Sequence, residues 1–235
     1  MNANKKTSGQ RSDALIKAVI YIVLIVLAIT IIVPVAWVFM ASVKQNSEFY
    51  GNPFTLPQGL YLQNFVDAWT KARMGEYFMT SVMITAMSLA ILLLVALPAA
   101  YVLSRYNFIG RKVIRGGFMA GLFINVNYIV VPIFLMFVAG DRVLNSLFGK
   151  SFFLNNPFVV SVVLASTTLP FTIYLLSSYL ATLPKDYEEA AYVDGAGYFT
   201  TMVRIILPMA KPSIITVILF EFLAYWNEYI ISMTM

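Results

Sequence analysis

The chain has no cysteine and no histidine, and only 11% of its 235 residues are charged. Without cysteine there are no disulfides and no thiolate nucleophiles. Without histidine the commonest general base and metal ligand is missing. An enzyme built from this chain would have to work with Asp, Glu, Lys, Tyr or Ser alone. No GxxxxGK[ST] stretch occurs, so the chain does not cradle ATP phosphates by that route. Soluble domains carry about 25% charged residues. The shortage here, set against 60% hydrophobic residues, identifies an integral membrane protein. The net charge of +5 then reports orientation in the bilayer and not affinity for nucleic acid.

What is present is a series of long apolar runs. The first, 15–43, is interrupted only by Lys17 and follows a polar, basic segment, 1–13, expected as a short cytoplasmic tail. It is too long for a signal h-region of about 7–15 residues, and no small-x-small cleavage site follows it. It is expected to remain as a first transmembrane helix, kinked near Pro34. Further runs occupy 77–103, 116–139, 157–183 and 213–235. Each exceeds the roughly 20 residues needed to cross the hydrocarbon core. Each must be helical, because lipid satisfies no free backbone amide. The expected fold is therefore all-α: a polytopic membrane helix bundle with five transmembrane helices in one domain, 14–235. Between the first two runs, Pro53, Pro57 and Gly59 punctuate an irregular lead-in. A short amphipathic helix follows over 62–72, with Leu62, Phe65, Val66 and Trp69 at helical spacing, suited to the membrane interface.

With the N-terminus inside, eleven Lys and Arg residues fall in inner segments and five in outer ones (Lys44, Lys71, Arg73, Arg142 and Lys150). The basic excess places the N-terminus, the 104–115 loop and the 184–212 loop in the cytoplasm.

The 184–212 loop interrupts the apolar pattern with Lys185, Asp186, Glu188, Glu189 and Asp194. A helical run over 186–193 meets Asp194-Gly195, where Gly195 permits a positive φ. A second run, 198–206, is expected to stop at Leu207-Pro208. Asp186, Glu188 and Glu189 lie in the first turns of the first helix, where acids favour the positive end of the dipole. Small residues at Ala190, Ala191, Gly195, Ala196 and Gly197 let another surface approach closely.

The spacing of Glu189, Ala190, Ala191, Gly195, Ile205, Leu207 and Pro208 resembles the EAA-x3-G-x9-I-x-LP signature of permease subunits of bacterial ATP-binding cassette importers. Every fixed position is matched. The outer stretch around Asn52-Pro53-Phe54, Leu56-Pro57 and Asn64-Phe65, the basic SRYNFIGRK loop and the Trp226-Asn227-Glu228-Tyr229 pattern resemble the carbohydrate, maltose-permease-like branch. The resemblance implies a multi-pass subunit of the bacterial cytoplasmic membrane. It implies four partners: an ATPase subunit, a second permease subunit, an extracytoplasmic solute-binding protein and a sugar substrate. ATP and Mg would sit on the ATPase, with no cofactor in this chain. The coupling set implied is Glu188, Glu189, Ala190, Ala191, Asp194, Gly195, Ala196, Gly197, Ile205, Leu207 and Pro208. Within it Ala190, Ala191 and Gly195 are close-packing positions, and Glu189 and Asp194 are polar contacts. Such permeases usually have six spans, so a chain truncated before the sixth helix is expected.

Polar residues inside the runs are candidates for a substrate pathway: Asn125, Asn127, Tyr128, Glu221, Tyr225, Asn227 and Glu228. An ionisable residue at membrane depth, such as Glu221, must face protein or a water-filled cavity. The structural alternative for Glu221, Asn125, Asn127 and Tyr128, and for Thr167 and Thr168, is hydrogen bonding between helices; for Asn227 and Glu228 it is reaching the membrane interface. Two other functions stay open: a permease for a non-sugar solute such as a polyamine, and a polytopic membrane enzyme using carboxylates.

Overall fold

A computed structural model describes the backbone of residues 3–235 and the side chains from Asp13 onward, except that of Asn127. The described residues form helices and connecting turns, with no strand among them. They divide into two compact units, 1–76 and 77–235.

The first unit begins with α1, Ala3–Ser42, which carries Pro34 in its interior. The helix continues back through the segment expected as a tail; Met1 and Asn2 lie outside the described residues. Its large apolar side chains between Leu15 and Phe39, except the half-buried Trp37, are exposed, as for a helix solvated by lipid. Two short helices follow, α2 (Asn46–Gly51) and α3 (Gln63–Thr70), the latter where an amphipathic helix was expected. The irregular lead-in is organised around Lys44, which is only 1% exposed. Its ammonium donates to the Pro53 carbonyl at 3.1 Å, with Thr55 Oγ1 at 3.4 Å and the Asn52 carbonyl at 3.5 Å. Trp37 Nε1 donates to the same Pro53 oxygen at 3.1 Å, and Asn64 Nδ2 donates to the Ser42 and Lys44 carbonyls at 2.9 and 2.7 Å.

The division between the units falls within α4 (Met74–Arg105). On this helix Leu92, Ala96, Ala100 and Leu103 form one buried stripe at spacings of three and four. The two alanines allow close approach of α7, Pro157–Leu180. Ser177 Oγ on α7 donates to the Ala100 carbonyl of α4 at 3.4 Å, and Ser161 Oγ, which bonds the Pro157 carbonyl of its own helix at 2.8 Å, lies 3.4 Å from the Ile84 carbonyl of α4. Both contacts advance by sixteen residues along both chains, so α4 and α7 run parallel. The loops that follow them, 106–110 and 181–185, therefore emerge on the same side of the membrane. That agrees with the placement drawn from the basic residues.

The run 116–139 is not one helix. Its first part closes the amphipathic α5 (Arg111–Gly121), and after i→i+3 bonds over 119–124 the chain restarts as α6, Val126–Phe148. The expected third span is thus displaced, and the membrane-length apolar helix is Tyr128–Phe148. Two forces explain the displacement. Arg111, Lys112 and Arg115 keep α5 at the interface, and Gly121 is held against α7, where an added Cβ would lie 2.9 Å from Pro170 Cγ. The displaced helix takes in the start of the expected polar loop, 140–156. Asp141 closes the rest, accepting the backbone N–H groups of Phe152, Phe153 and Leu154 at 2.7, 2.9 and 3.0 Å.

The remainder of the second unit is α8 (Asp186–Val193), α9 (Tyr198–Thr201), a π-helical turn (Met202–Ile206), α10 (Leu207–Met209), α11 (Lys211–Trp226) and α12 (Ile230–Thr234). The stop expected at Leu207-Pro208 does not occur. The helix widens into i→i+5 bonding over Met202–Ile206, ahead of the proline, then ends at Met209 and bends by 76° into α11. The wider turn moves a backbone carbonyl away from the Pro208 ring, which an α-helical turn would bring into collision with it. The run 213–235 also breaks, at Asn227. Glu228 then caps α12, accepting from Ile231 N at 2.7 Å and Ser232 N at 3.0 Å. Among the described residues four helices are long and apolar enough to span a bilayer, or five with the bent pair counted as one span, close to the five expected.

Asp141→Ala leaves three adjacent backbone donors without their acceptor. It is expected to lower the thermal unfolding midpoint of the detergent-purified protein by several degrees, whereas Asp141→Asn, which keeps one acceptor oxygen, has a smaller effect.

Candidate functional site

The 184–212 loop is a defined object, fixed by its backbone. At the end of α8, Gly195 N donates to the Tyr192 carbonyl at 3.0 Å and Ala196 N to the Ala191 carbonyl at 2.9 Å. This is a Schellman motif, and it requires a left-handed residue after the cap. Gly195 provides it with φ of +80°. No atom lies within 4 Å of where a Gly195 Cβ would stand. The glycine is thus required by the turn, and the space beside it is open to solvent.

The helix sorts the expected coupling residues onto two faces. Glu189, Ala190, Asp194, Gly195 and Gly197 are exposed, with Ala196 half-buried. Val193, 87% exposed, and Phe199, 74% exposed, extend the outward surface with apolar area that the sequence pattern had not marked. Glu188 and Ala191 face inward and are buried. Of the later positions, Ile205 and Leu207 are half-buried and Pro208 is exposed, while Ile206 between them is fully buried.

The inward face meets the end of α4. Arg105 Nε lies 3.2 Å from Glu188 Oε1, with the two side chains 2% and 10% exposed. Arg105 Nη1 also donates to the Leu183 carbonyl at 2.9 Å. The next residue, Tyr106, shares hydroxyl hydrogen bonds with Tyr101 at 3.2 Å and Tyr192 at 2.7 Å. The rings of Tyr106 and Tyr198 meet edge-on with centroids 5.7 Å apart, as do those of Tyr192 and Tyr198 at 5.5 Å. Burial and the Tyr106 hydroxyl hold the Tyr192 phenol above its ordinary pKa, so it stays neutral and can donate. Sequence reasoning placed Arg105 and Tyr106 in the basic SRYNFIGRK loop without assigning them a partner, and it did not single out Tyr192.

The residues expected along a substrate pathway are scattered. Glu221 and Tyr225, one turn apart on α11, are 3% and 5% exposed. They pair with residues one turn apart on α7. Thr172 Oγ1 donates to Glu221 Oε1 at 3.1 Å, and the Thr168 and Tyr225 hydroxyls lie 2.5 Å apart. Glu221 Oε2 is buried and has no hydrogen-bond partner. These four side chains form a polar seam between two helices, the structural alternative raised for Glu221 and Thr168. Thr167 bonds within its own helix, to the Leu164 carbonyl. Tyr128 is exposed on α6, and Asn125 lies exposed in the turn before it. Asn227 bonds back to the Leu223 carbonyl at 2.8 Å, and Glu228 is taken up as the α12 cap. Asn127 lies outside the described side chains. No group of three or more acidic side chains among the described residues is placed to hold a metal ion.

Long apolar helices, a seam of hydroxyls and one carboxyl between two of them, and an ordered polar loop on the side where α4 and α7 end define a multi-pass membrane protein. The outward face of that loop is suited to a protein contact. Residues 56–234 match the family of binding-protein-dependent transport system inner membrane components, and the chain belongs to that family. It is accordingly a multi-pass inner-membrane transport component and not an enzyme. The diacetylchitobiose uptake system permease protein NgcG of Streptomyces coelicolor is 34% identical over 224 residues, covering 95% of this chain and 70% of that protein. The trehalose/maltose transport system permease protein MalG of Thermococcus litoralis is 28% identical over 225 residues, covering 95% and 77%. A chain in the crystal structure of a bacterial ABC transporter involved in the import of the acidic polysaccharide alginate superposes with a TM-score of 0.77. At 23% identity, over 93% of this chain and 73% of that one, it shares the fold.

Thr172→Val removes the hydroxyl that donates to Glu221 Oε1 at 3.1 Å and weakens the support of a buried carboxyl. A loss of about 1–3 kcal/mol is expected, read as reduced thermal stability in detergent. The double variant Thr172→Val with Glu221→Leu, which removes both partners, is expected to recover most of it.

Proposed function

We propose that this chain is a transmembrane subunit of an ATP-driven importer that carries a sugar or oligosaccharide across the cytoplasmic membrane by alternating access. A second permease subunit completes the translocation path. A solute-binding protein delivers the sugar from outside, and a separate ATPase carries ATP and Mg. The N-terminus and the 184–212 loop lie in the cytoplasm. The observation that carries the reading is the outward face of α8. It is a short helix ended by a left-handed glycine, presenting Glu189, Ala190, Asp194 and Gly195 beside exposed Val193 and Phe199. A surface with little side-chain bulk, flanked by acids and two apolar residues, suits insertion into a groove of another protein. Small residues bring the backbone close, and Val193 and Phe199 offer area to bury. Sugar as the cargo is supported by relatives named for diacetylchitobiose and for trehalose/maltose.

Gly195→Asp places a charged side chain where φ is +80°, and Glu189→Lys reverses a charge on the docking face. Each is expected to abolish sugar uptake and co-purification of the ATPase while the protein remains in the membrane. Normal uptake together with normal ATPase association in both variants overturns the docking assignment. Deleting the solute-binding protein is expected to abolish high-affinity uptake. A thermal-shift screen of that protein against sugars and polyamines identifies the cargo class, and stabilisation by polyamines alone rejects sugar.

A further inference from the structure

The docking face of α8 is only half of a coupling element; its other face must hold something that moves. The contacts of that inner face converge on two consecutive residues, Arg105 and Tyr106. Arg105, the last residue of α4, reaches both sides of the turn that leads into α8. Its Nη1 donates to the Leu183 carbonyl before the helix, and its Nε lies 3.2 Å from Glu188 in the first turn. Tyr106 reaches the other end of α8, with its hydroxyl 2.7 Å from that of Tyr192 in the last turn and its ring against Tyr198 at the start of α9. The end of α4 thus grips α8 at both its ends. A single contact would pass on a push along one line and let the helix pivot. Two contacts, one at each end, pass on tilt as well.

We propose that Arg105 and Tyr106 are the positioning residues through which displacement of the 184–212 loop reaches the membrane helices, with α4 and α8 moving as one body. The proposal rests on the reading of this loop as the ATPase-coupling element. It assigns Glu188 and Tyr192 to the inner half of that element, so that they are not docking contacts. The chemistry of the grip fits such a role. The ion pair is shielded from water, so neither partner can leave without stranding a buried charge. Arg105 Nε and Nη2 and Glu188 Oε1 make no hydrogen bond. The pair is held by charge alone, whose attraction falls gradually with distance and orientation, so it survives small rearrangements that would break a hydrogen bond.

The test uses the complete transporter in proteoliposomes, with ATP hydrolysis and sugar uptake measured together. Arg105→Gln is expected to lower sugar transported per ATP about tenfold, within the usual range for linked sites. Tyr106→Phe, which deletes one hydroxyl, is expected to lower it about threefold. In both, the ATPase still co-purifies. The charge-reversed pair, Arg105→Glu with Glu188→Arg, is expected to recover part of the loss. Because the chain has no cysteine, Tyr106→Cys with Tyr192→Cys allows a short bifunctional thiol reagent to join α4 to α8. Transport per ATP is expected to be low before cross-linking and restored after it. A wild-type ratio in both Arg105→Gln and Tyr106→Phe overturns the proposal, as does loss of transport on cross-linking, which would mean that the two helices must part. If Arg105→Gln fails to reach the membrane, Tyr106→Phe and the cross-link decide. A separate outcome removes the underlying reading: wild-type transporter whose ATPase is indifferent to sugar-loaded binding protein, or normal uptake with normal ATPase association in both Gly195→Asp and Glu189→Lys.

Discussion

The absence of water from the bilayer core is the constraint from which the rest of this structure follows. Every backbone amide at membrane depth must find its acceptor inside the chain, so the spanning segments are helices and irregular backbone is confined to their ends. Side-chain hydroxyls obey the same rule. Ser177 turns to a carbonyl of α4, Ser161 bonds within α7 beside the Ile84 carbonyl, and Thr168 and Thr172 turn to Tyr225 and Glu221. These contacts align α4, α7 and α11 without adding a charge exposed to lipid. Where charge is needed, at Arg105 and Glu188, it sits at the end of α4 and is paired.

The same constraint explains where the chain becomes complicated. Breaks occur at 122–125, at Ala210 and at 227–229, and each is served by its own local device. These are tightened i→i+3 turns after α5, a π-helical turn ahead of Pro208, and the carboxylate of Glu228 ahead of α12. The polar loop is no less ordered than the membrane segments, because the Schellman turn at Gly195 and the tyrosine contacts leave α8 little freedom. Rigidity in that loop matters for a coupling role, since a flexible connector would absorb displacement.

Most of the architecture was legible in the sequence because apolar length and the bias of basic residues are properties of the chain alone. The helix of 186–193, its turn and the positive φ of Gly195 were legible for a related reason, since a left-handed cap can be read from one glycine at the right distance. What periodicity did not reveal was which residues face inward. Glu188 and Glu189 are adjacent acids, yet one is buried against Arg105 and the other is exposed, a difference set by a partner more than eighty positions earlier. The displaced third span failed for a similar reason. Its apolar run is continuous, and only the packing of Gly121 against Pro170 and the interfacial hold of three basic residues determine where the helix ends. Of the candidate pathway residues, Glu221 and Tyr225 meet in one seam while Tyr128 and Asn227 lie apart from it, and sequence offers no measure of convergence.

The parallel course of α4 and α7 has a mechanical consequence. Two helices in contact at points sixteen residues apart, at Ile84 beside Ser161 and at Ala100 bonded to Ser177, keep their register along that length. They behave as a single strut, about 24 Å long between those points at 1.5 Å per residue. A strut pushed at one end moves at the other by a comparable amount. With its foot beside α8, the far end near Ile84 swings through an arc fixed by leverage alone, so a small displacement at one membrane face arrives at the opposite face with no intervening chemistry.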